Sequence, residues 1–569
     1  PADVEADMEK VVTSFLANGP TKAELDRAKT SIEASVIRGL EKVGGSAGKA
    51  AALAEGALYA DDPGFIMKQL DWLKKATPAE VLAAAREVMN AGYYQLSVLP
   101  FPDYSEAASG VNRKAGLPAV PTSPDLTFPA IEEATLKNGV KVVLANRSTI
   151  PVINISMQFD AGYASDAAGA KLGSASFAGA MMDEGTKRRT ALKIAEELEG
   201  LGATFSVGSN LDMTSVSLSA LKSNLAASLD VMADVVRNPA FDQDEMDKLR
   251  ARWIAGIEQE NANPVQLALR LLPPMMYGEG HAYGVPLTGS GTIASINSLT
   301  RNDLTKFHQT WIRPDNATIF VAGDATMAEI KPALEKAFGD WRAPAGAIPA
   351  KNIAEVARPA KGRVVIVDKP GSPQTLILAG EVAPPAGAPN AIALNAMNDI
   401  LGGQFTARIN MNLREEKHWA YGAYTFFQDA RGQRPYLVYA PVQTDKTKEA
   451  LAELVREMRG ITSTKPATAA ELDRTVANNV RSLPGSFETS GDVLGSLTSS
   501  NRFGRPWNYP ATLKEKYEAL TLRDINEAAR EVVGPDQLIW VIVGDRAKIE
   551  AGVASLGLGP IEVKSMGDL

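Results

Sequence analysis

The chain has no cysteine in 569 residues, which excludes disulfides, thiolate metal sites, iron–sulfur clusters and cysteine nucleophiles while leaving the compartment open. Histidine is scarce as well. His281, His308 and His418 are the three present, and none stands in H-x-x-E-H or H-E-x-x-H spacing with another. Ordinary hydrogen-bonded histidines are therefore the expectation, ahead of a metal site assembled from distant parts of the chain. Long hydrophobic runs are also missing: the longest, 538–543 and 364–367, fall far short of the roughly 18 to 20 residues of a membrane-spanning helix. Nor is there an excess of positive charge. With a formal net charge of −8 and basic residues scattered among acidic ones, the chain carries no electrostatic footprint for nucleic acid or an anionic membrane. The absence of a G-x-S-x-G elbow or a Lys/Ser constellation of the required spacing argues against an independent non-metal hydrolase. The start, Pro1-Ala2-Asp3-Val4, shows neither an initiator Met nor a signal-peptide profile, so the chain is expected to be a processed piece of a larger protein.

What is present is repetition, on an apolar content of 45% that suffices for two to four domains. Glu24-Leu25-Asp26-Arg27, Glu245-Met246-Asp247-Lys248 and Glu471-Leu472-Asp473-Arg474 each open a helical pattern. A short apolar strand comes after each of them, at 95–99, 319–322 and 539–543. Just before each strand stands a capping-box signal: Thr77-Pro78-Ala79-Glu80, Thr300-Arg301-Asn302-Asp303 and Thr521-Leu522-Arg523-Asp524. There the Thr hydroxyl and the carboxylate satisfy free amides at the helix start. The second and third copies have additional strands in front, at 140–144 and 152–159, and at 364–367 and 375–379. The pattern divides the chain into a partial module (1–100), a linker (101–130), a complete module (131–340), a second linker (341–361) and another complete module (362–569). Both linkers are rich in Pro and Ala and so semi-rigid where Pro is dense. The partial module should expose apolar surface where its missing strands would pair.

Leu136-Lys137-Asn138-Gly139-Val140, Ala161-Gly162, Gly185-Thr186, His281-Ala282-Tyr283-Gly284 and Trp311-Ile312-Arg313-Pro314-Asp315-Asn316 through Gly323-Asp324 succeed one another in specific order and spacing. The order resembles that of one half of a pitrilysin/insulinase-family zinc metallopeptidase, an inverzincin. The resemblance implies an α+β fold: repeated modules of mainly antiparallel sheet packed with helices, in the pitrilysin-like (LuxS/MPP-like) fold, with two halves closing on a peptide like a clamshell. Residues 1–100 then correspond to the end of the catalytic half and the remainder to the non-catalytic C-terminal half.

The family's zinc motif, H-x-x-E-H, puts two imidazoles and a general-base Glu on one helical face. Placed by Gly185-Thr186, the matching stretch here is Ser176-Phe177-Ala178-Gly179-Ala180. The ligand positions Ser176 and Ala180 and the base position Gly179 are thus degenerate. The later helix offers Ala255 and Gly256 where a distal Glu would fall, with Glu258 and Glu260 nearby. No metal is expected in this chain, and zinc is expected in the missing catalytic segment. Gly402-Gly403-Gln404-Phe405-Thr406-Ala407-Arg408 and Leu413-Arg414-Glu415-Glu416-Lys417-His418-Trp419-Ala420-Tyr421 resemble the family's substrate-facing motif. By resemblance, Arg414 and Tyr421 bind substrate, because a guanidinium and a phenol can donate to a carbonyl oxygen that gains charge as water attacks. Without the resemblance, Arg414 reads as a helix-end cation and Tyr421 as a half-buried aromatic in a strand starting near it. Arg408 is expected to pair with Glu415 or Glu416, Asp183-Glu184 to be a solvated turn, and Met181-Met182 and Met275-Met276 to fill core. Two functions remain open: the lid half of a zinc endopeptidase, inactive alone and acting on peptides or unfolded protein with a catalytic segment or subunit, or an inactive relative serving as a scaffold or binding subunit. For the long two-half form the resemblance implies the bacterial periplasm.

Overall fold

The computed structural model describes residues 2–46, 48–89 and 125–565, which fall into two compact units, Pro1–Asp125 with Glu199–Ala203, and Leu126–Leu198 with Thr204–Leu569. The strand expected at 95–99 and most of the segment 101–130 lie outside the described residues.

The first unit is helical: Ala2–Asn18, Lys22–Gly39, Lys49–Ala60, Phe65–Lys75 and Pro78–Met89. Thr21 and Glu24 close a full capping box, and Thr77 and Glu80 make the same reciprocal bonds. Its helices leave Val11, Leu53, Leu58, Tyr59, Met67, Trp72 and Val88 exposed.

The second unit holds two six-stranded sheets. The first comprises β1 (Ile131–Thr135), β2 (Lys141–Asn146), β3 (Val152–Phe159), β4 (Thr204–Ser209), β5 (Thr214–Leu221) and β6 (Ala317–Gly323), in the order β1-β2-β6-β3-β5-β4. The second comprises β7 (Arg363–Asp368), β8 (Gln374–Ala383), β9 (Tyr424–Phe427), β10 (Arg434–Gln443), β11 (Ile539–Gly544) and β12 (Ile561–Ser565), in the order β12-β7-β11-β8-β10-β9. Five strands match position for position, with β2–β6 and β7–β11 parallel and the remaining pairs among them antiparallel. The edge strand beyond them differs: β1 joins β2 antiparallel from the N-terminal side, whereas β12 joins β7 parallel from the C-terminal side. Burial tracks the local sequence. The continuous apolar run of β7 is buried on both faces, while β5, Thr-Ser-Val-Ser-Leu-Ser-Ala-Leu, alternates buried and half-buried residues as a strand with one polar face does.

Each sheet is covered in part by a helix from the other half of the unit. Pro264–Tyr277 packs on β8 and β11, so closely that a Cβ at Gly380 would lie 2.8 Å from Leu272 Cδ2. In return, Ser490–Phe503 packs on β3 and β6, its Val493 and Leu497 sharing a core with Val143, Ala145, Phe320 and Ala322. At the junction, Asp212 in the β4–β5 turn is buried and accepts from Tyr283 Oη, from Arg502 Nε at 2.8 Å and from the Arg431 amide at 3.0 Å. Asp160 pairs with Arg431 and Lys351; burial opposes its ionisation, but these two cations hold it below the usual carboxylate range. Segment 341–361 contains neither helix nor strand. It is nonetheless packed: Trp341 lies edge-on to Phe159, and Lys351 Nζ reaches Asp160 and the Asp212 carbonyl.

Candidate functional site

Between β8 and β9 the chain runs through an α-helix (Ala391–Asn398), a π turn (Asp399–Gly403), a short helix (Arg408–Asn410) and a second π turn (Met411–Glu416). The glycine pair is required by close approach. A Cβ at Gly402 would lie 2.4 Å from Thr425 Oγ1 and 2.6 Å from its amide, and one at Gly403 2.4 Å from Asn398 Nδ2. After the second π turn His418 takes φ +58°, a left-handed conformation, with its Nδ1 3.0 Å from the Arg414 carbonyl. The Trp419 amide returns to Leu413 O at 2.9 Å and Gln443 donates to Trp419 O at 3.0 Å, tying the loop to β10.

This path brings Arg414 and Tyr421 together. The Arg414 guanidinium carbon stands 4.7 Å from the Phe405 ring centroid and 4.9 Å from that of Tyr421, stacked between two aromatic faces. Phe405 is 51% and Tyr421 85% exposed. Arg414 Nε lies 3.1 Å from Glu415, while among the described residues no hydrogen bond engages its two terminal amino groups. In their plane these donors can pair with a carbonyl or carboxylate.

Several expectations need correction. Tyr421 is neither half-buried nor in a strand, because β9 starts at Tyr424. Arg408 does not pair with Glu415 or Glu416. Long helical side chains point toward the N-terminus of their helix, and Arg408 accordingly reaches back to both oxygens of Glu471 at 2.6 Å and to the carbonyls of Lys465 and Pro466. Burial works against ionisation of Glu471, yet Arg408 and the Thr468 cap hold its pKa down to about 2. Asp183 and Glu184 are half-buried rather than freely solvated: Glu184 pairs with Arg252 at 3.0 Å and burial raises Asp183.

Ser176, Gly179 and Ala180 lie on the helix Ser174–Met181, whose N-terminus is held by Asp166 accepting from the Gly173 and Ala175 amides at 2.7 and 2.9 Å. Burial pushes Asp166 up to about 8 against those bonds. The helix sits on β4, where a Cβ at Gly179 would touch Val207 Cγ1 at 3.4 Å. Phe177 meets Trp253 edge-on at 5.4 Å. Met181 and Met182 are buried core, as is Met276. On the later helix, Gln243–Ala262, Glu260 is bound by Arg270 and Ser290 at 2.7 Å each, and Glu258 is exposed. His281 bonds the Ala354 carbonyl and the Tyr283 amide, and His308 the Val236 carbonyl. Among the described residues no three His, Cys, Asp or Glu are grouped as a metal site.

The family described as "Insulinase (Peptidase family M16)" matches residues 141–288, and "Peptidase M16 inactive domain" matches 298–479. The chain belongs to the pitrilysin/insulinase family. A Bacillus subtilis protein described as the uncharacterized zinc protease YmxG is 24% identical over 72% of this chain and 98% of its own length. Zinc protease PqqE of Helicobacter pylori is 23% identical over 65% of this chain and 82% of its own. Among solved structures, a peptidase M16 inactive domain from Pseudomonas fluorescens superimposes with a TM-score of 0.66 at 24% identity, over 73% of this chain and 98% of the other. The periplasmic protease PqqL from Escherichia coli does so with 0.60 at 17% identity, over 76% and 49%. These two likenesses concern the fold.

The family's zinc does not fit the helix Ser174–Met181. A hydroxyl, a bare backbone and a methyl stand at the positions that the sequence resemblance aligns with its ligands and base, Ser176, Gly179 and Ala180, and Glu260 already has its counter-charge in Arg270. Phe405, Arg414 and Tyr421 all fall in the stretch matched by the inactive domain. Sequence reading included Phe405 in the motif stretch but gave it no role of its own. Its signal was an aromatic residue two positions after a glycine pair, in a turn that offers it no core to fill.

Proposed function

We propose that this chain is the non-catalytic lid half of a zinc-dependent endopeptidase, closing on unstructured peptides and holding them through Arg414 and Tyr421. The observation that carries the reading is the Phe405–Arg414–Tyr421 stack, a half-buried guanidinium stacked on two exposed rings with its terminal donors unengaged. Stacking limits the rotamers of Arg414, so less freedom is lost when a peptide carbonyl binds. In a closed, water-poor chamber the same donors, with the Tyr421 hydroxyl, stabilise the negative charge that develops on that oxygen. Zinc and the general base belong to the catalytic half, a further segment or a separate subunit, and the bacterial periplasm is the proposed location. A scaffold or binding subunit without catalysis is the second reading. It is favoured by one fact: the chain aligns with nearly the whole of a relative named as a zinc protease while lacking the ligands.

The test is fluorescence anisotropy of a labelled unstructured peptide on this chain. Arg414→Ala is expected to weaken binding about tenfold, the worth of a charge-assisted hydrogen bond, and Tyr421→Phe by less. Unchanged affinity in both variants rejects the site. With the catalytic half and zinc added, faster cleavage by wild type than by Arg414→Ala supports the lid; a complex that binds peptide without cleaving it supports the scaffold.

A further inference from the structure

A buried side chain beside the Arg414 stack makes bonds that only an amide can make. Asn410 is fully buried, between the core residues Ile409 and Leu413, where an apolar residue would be the ordinary choice. Its Nδ2 donates to the Phe405 carbonyl at 2.6 Å and its Oδ1 accepts from the Ala423 amide at 3.2 Å. The chemistry of the partners fixes which end is which, since a carbonyl can only accept and an amide N–H only donate. Aspartate would set oxygen against oxygen at Phe405, and leucine would leave both backbone groups unsatisfied.

The two backbone groups belong to the two segments that carry the rings. Phe405 lies on one side of Arg414; Ala423 closes the 417–423 loop, which presents Tyr421 on the other side and is anchored upstream by the bridge between Ala420 and Val442. Asn410 itself precedes Arg414 by four residues, on the same helical run. One carboxamide thus joins the backbone of Phe405, the segment that follows Tyr421 and the element bearing the guanidinium. We propose that Asn410 is the positioning residue of the Phe405–Arg414–Tyr421 stack: it sets the spacing of the two rings and so aims the Arg414 donors. The inference rests on the peptide-binding reading of Arg414 for its functional consequence, but the positioning itself can be read without any ligand.

Asn412 supplies a control. It is buried on the same run, and its Nδ2 bonds Glu453 and Glu457 at 2.7 and 2.8 Å, away from both rings. The experiment compares Asn410→Ser with Asn412→Ser in the full chain, recording melting temperature, the side-chain Nε–Hε resonance of Arg414 (identified by its loss in Arg414→Lys) and peptide affinity. Both variants are expected to lower the melting temperature. In Asn410→Ser alone, the Arg414 resonance should lose its ring-current shift and move toward the position of solvent-exposed arginines. Peptide affinity should fall about three- to tenfold in Asn410→Ser, with no further loss when the same change is made in Arg414→Ala, the non-additivity of a residue that acts through another. An Arg414 resonance that stays in place in folded Asn410→Ser overturns the proposal, as does an affinity loss that simply adds to that of Arg414→Ala. If Asn410→Ser does not fold, Asn410→Ala removes both bonds without introducing a buried charge and is read in the same way. Should Arg414→Ala leave peptide binding unchanged, the binding role falls, and the resonance still decides whether Asn410 positions the stack.

Discussion

Glu381 offers a prediction whose sign and size both derive from its surroundings. It lies in the middle of the second sheet, 1% exposed, opposite Tyr436 on β10. Its Oε1 accepts from the Gly534 amide at 3.1 Å, while Oε2 accepts no hydrogen bond and has only Arg358 Nε at 3.4 Å. Burial outweighs the attraction of Arg358 and pushes the carboxyl from its ordinary 4.5 up to about 7. A carboxyl with a raised folded pKa costs nothing below its unfolded value, because it is neutral in both states. Between 4.5 and about 7 the unfolded chain releases a proton that the folded chain keeps, so stability falls as pH rises, and above that range the penalty is constant. Integrated between about pH 5 and pH 8, the loss is about 2 to 3 kcal/mol. Glu381→Gln keeps an acceptor for Gly534 and removes the titration. Urea unfolding of both proteins across that range should show the variant gaining on wild type by about that amount as pH rises. Parallel pH profiles would refute the argument, since they require Glu381 to titrate alike in folded and unfolded chains.

Asp212→Ala should be severe, about 3 to 5 kcal/mol, because it leaves Arg502 and the Tyr283 hydroxyl without their buried partner where the two halves of the unit meet; a loss under about 1 kcal/mol in chemical denaturation contradicts that role. Glu471 has the opposite sign from Glu381. Its pKa is held down to about 2, so its contribution is fully present above the ordinary 4.5 and is lost as pH falls through about 2. Glu471→Gln should therefore cost about 2 kcal/mol at neutral pH and little in strong acid, an equal cost at both extremes refuting the Arg408 pairing as its source.

The periodic parts of the fold were legible in the sequence because they rest on local chemistry. The Thr-x-x-Asp boxes at Thr300 and Thr521 form as read, and the apolar run expected at 152–159 is β3 to the residue. What escaped were relations between distant segments. No spacing along the chain shows that Pro264–Tyr277 will cover β8 and Ser490–Phe503 will cover β3, because the apolar face of an amphipathic helix does not name its partner. Arg408 was misjudged for a related reason: sequence neighbours at Glu415 and Glu416 hid a capping residue 63 positions away. Arg414 and Tyr421 were legible only through a motif. Phe405 and Asn410, which complete their surroundings, needed the backbone path.

The internal repeat also shows where the second module departs from its own plan. In the first, the segment entering edge strand β4 is a regular α-helix, Ala191–Gly200. In the second, the segment entering β9 is broken into Arg408–Asn410 and the π turn Met411–Glu416, behind another π turn at Asp399–Gly403. A π turn inserts a residue into the helical ladder and so rotates the chain beyond it by about 100° relative to an unbroken α-helix. Such turns are rare because they loosen backbone packing, and here one is joined by two further local costs, the positive φ of His418 and the close approach of Gly402 to Thr425. All of these fall within a few residues of Arg414 or pack against the segment that carries it. None falls on the regular helix that carries Ser176, Gly179 and Ala180. Local strain persists only where surrounding structure holds it in place, and it collects at sites of function. Within the second module the departures from helical regularity thus gather around the segment that carries Arg414, whereas the residues of Ser174–Met181 form one unbroken α-helix.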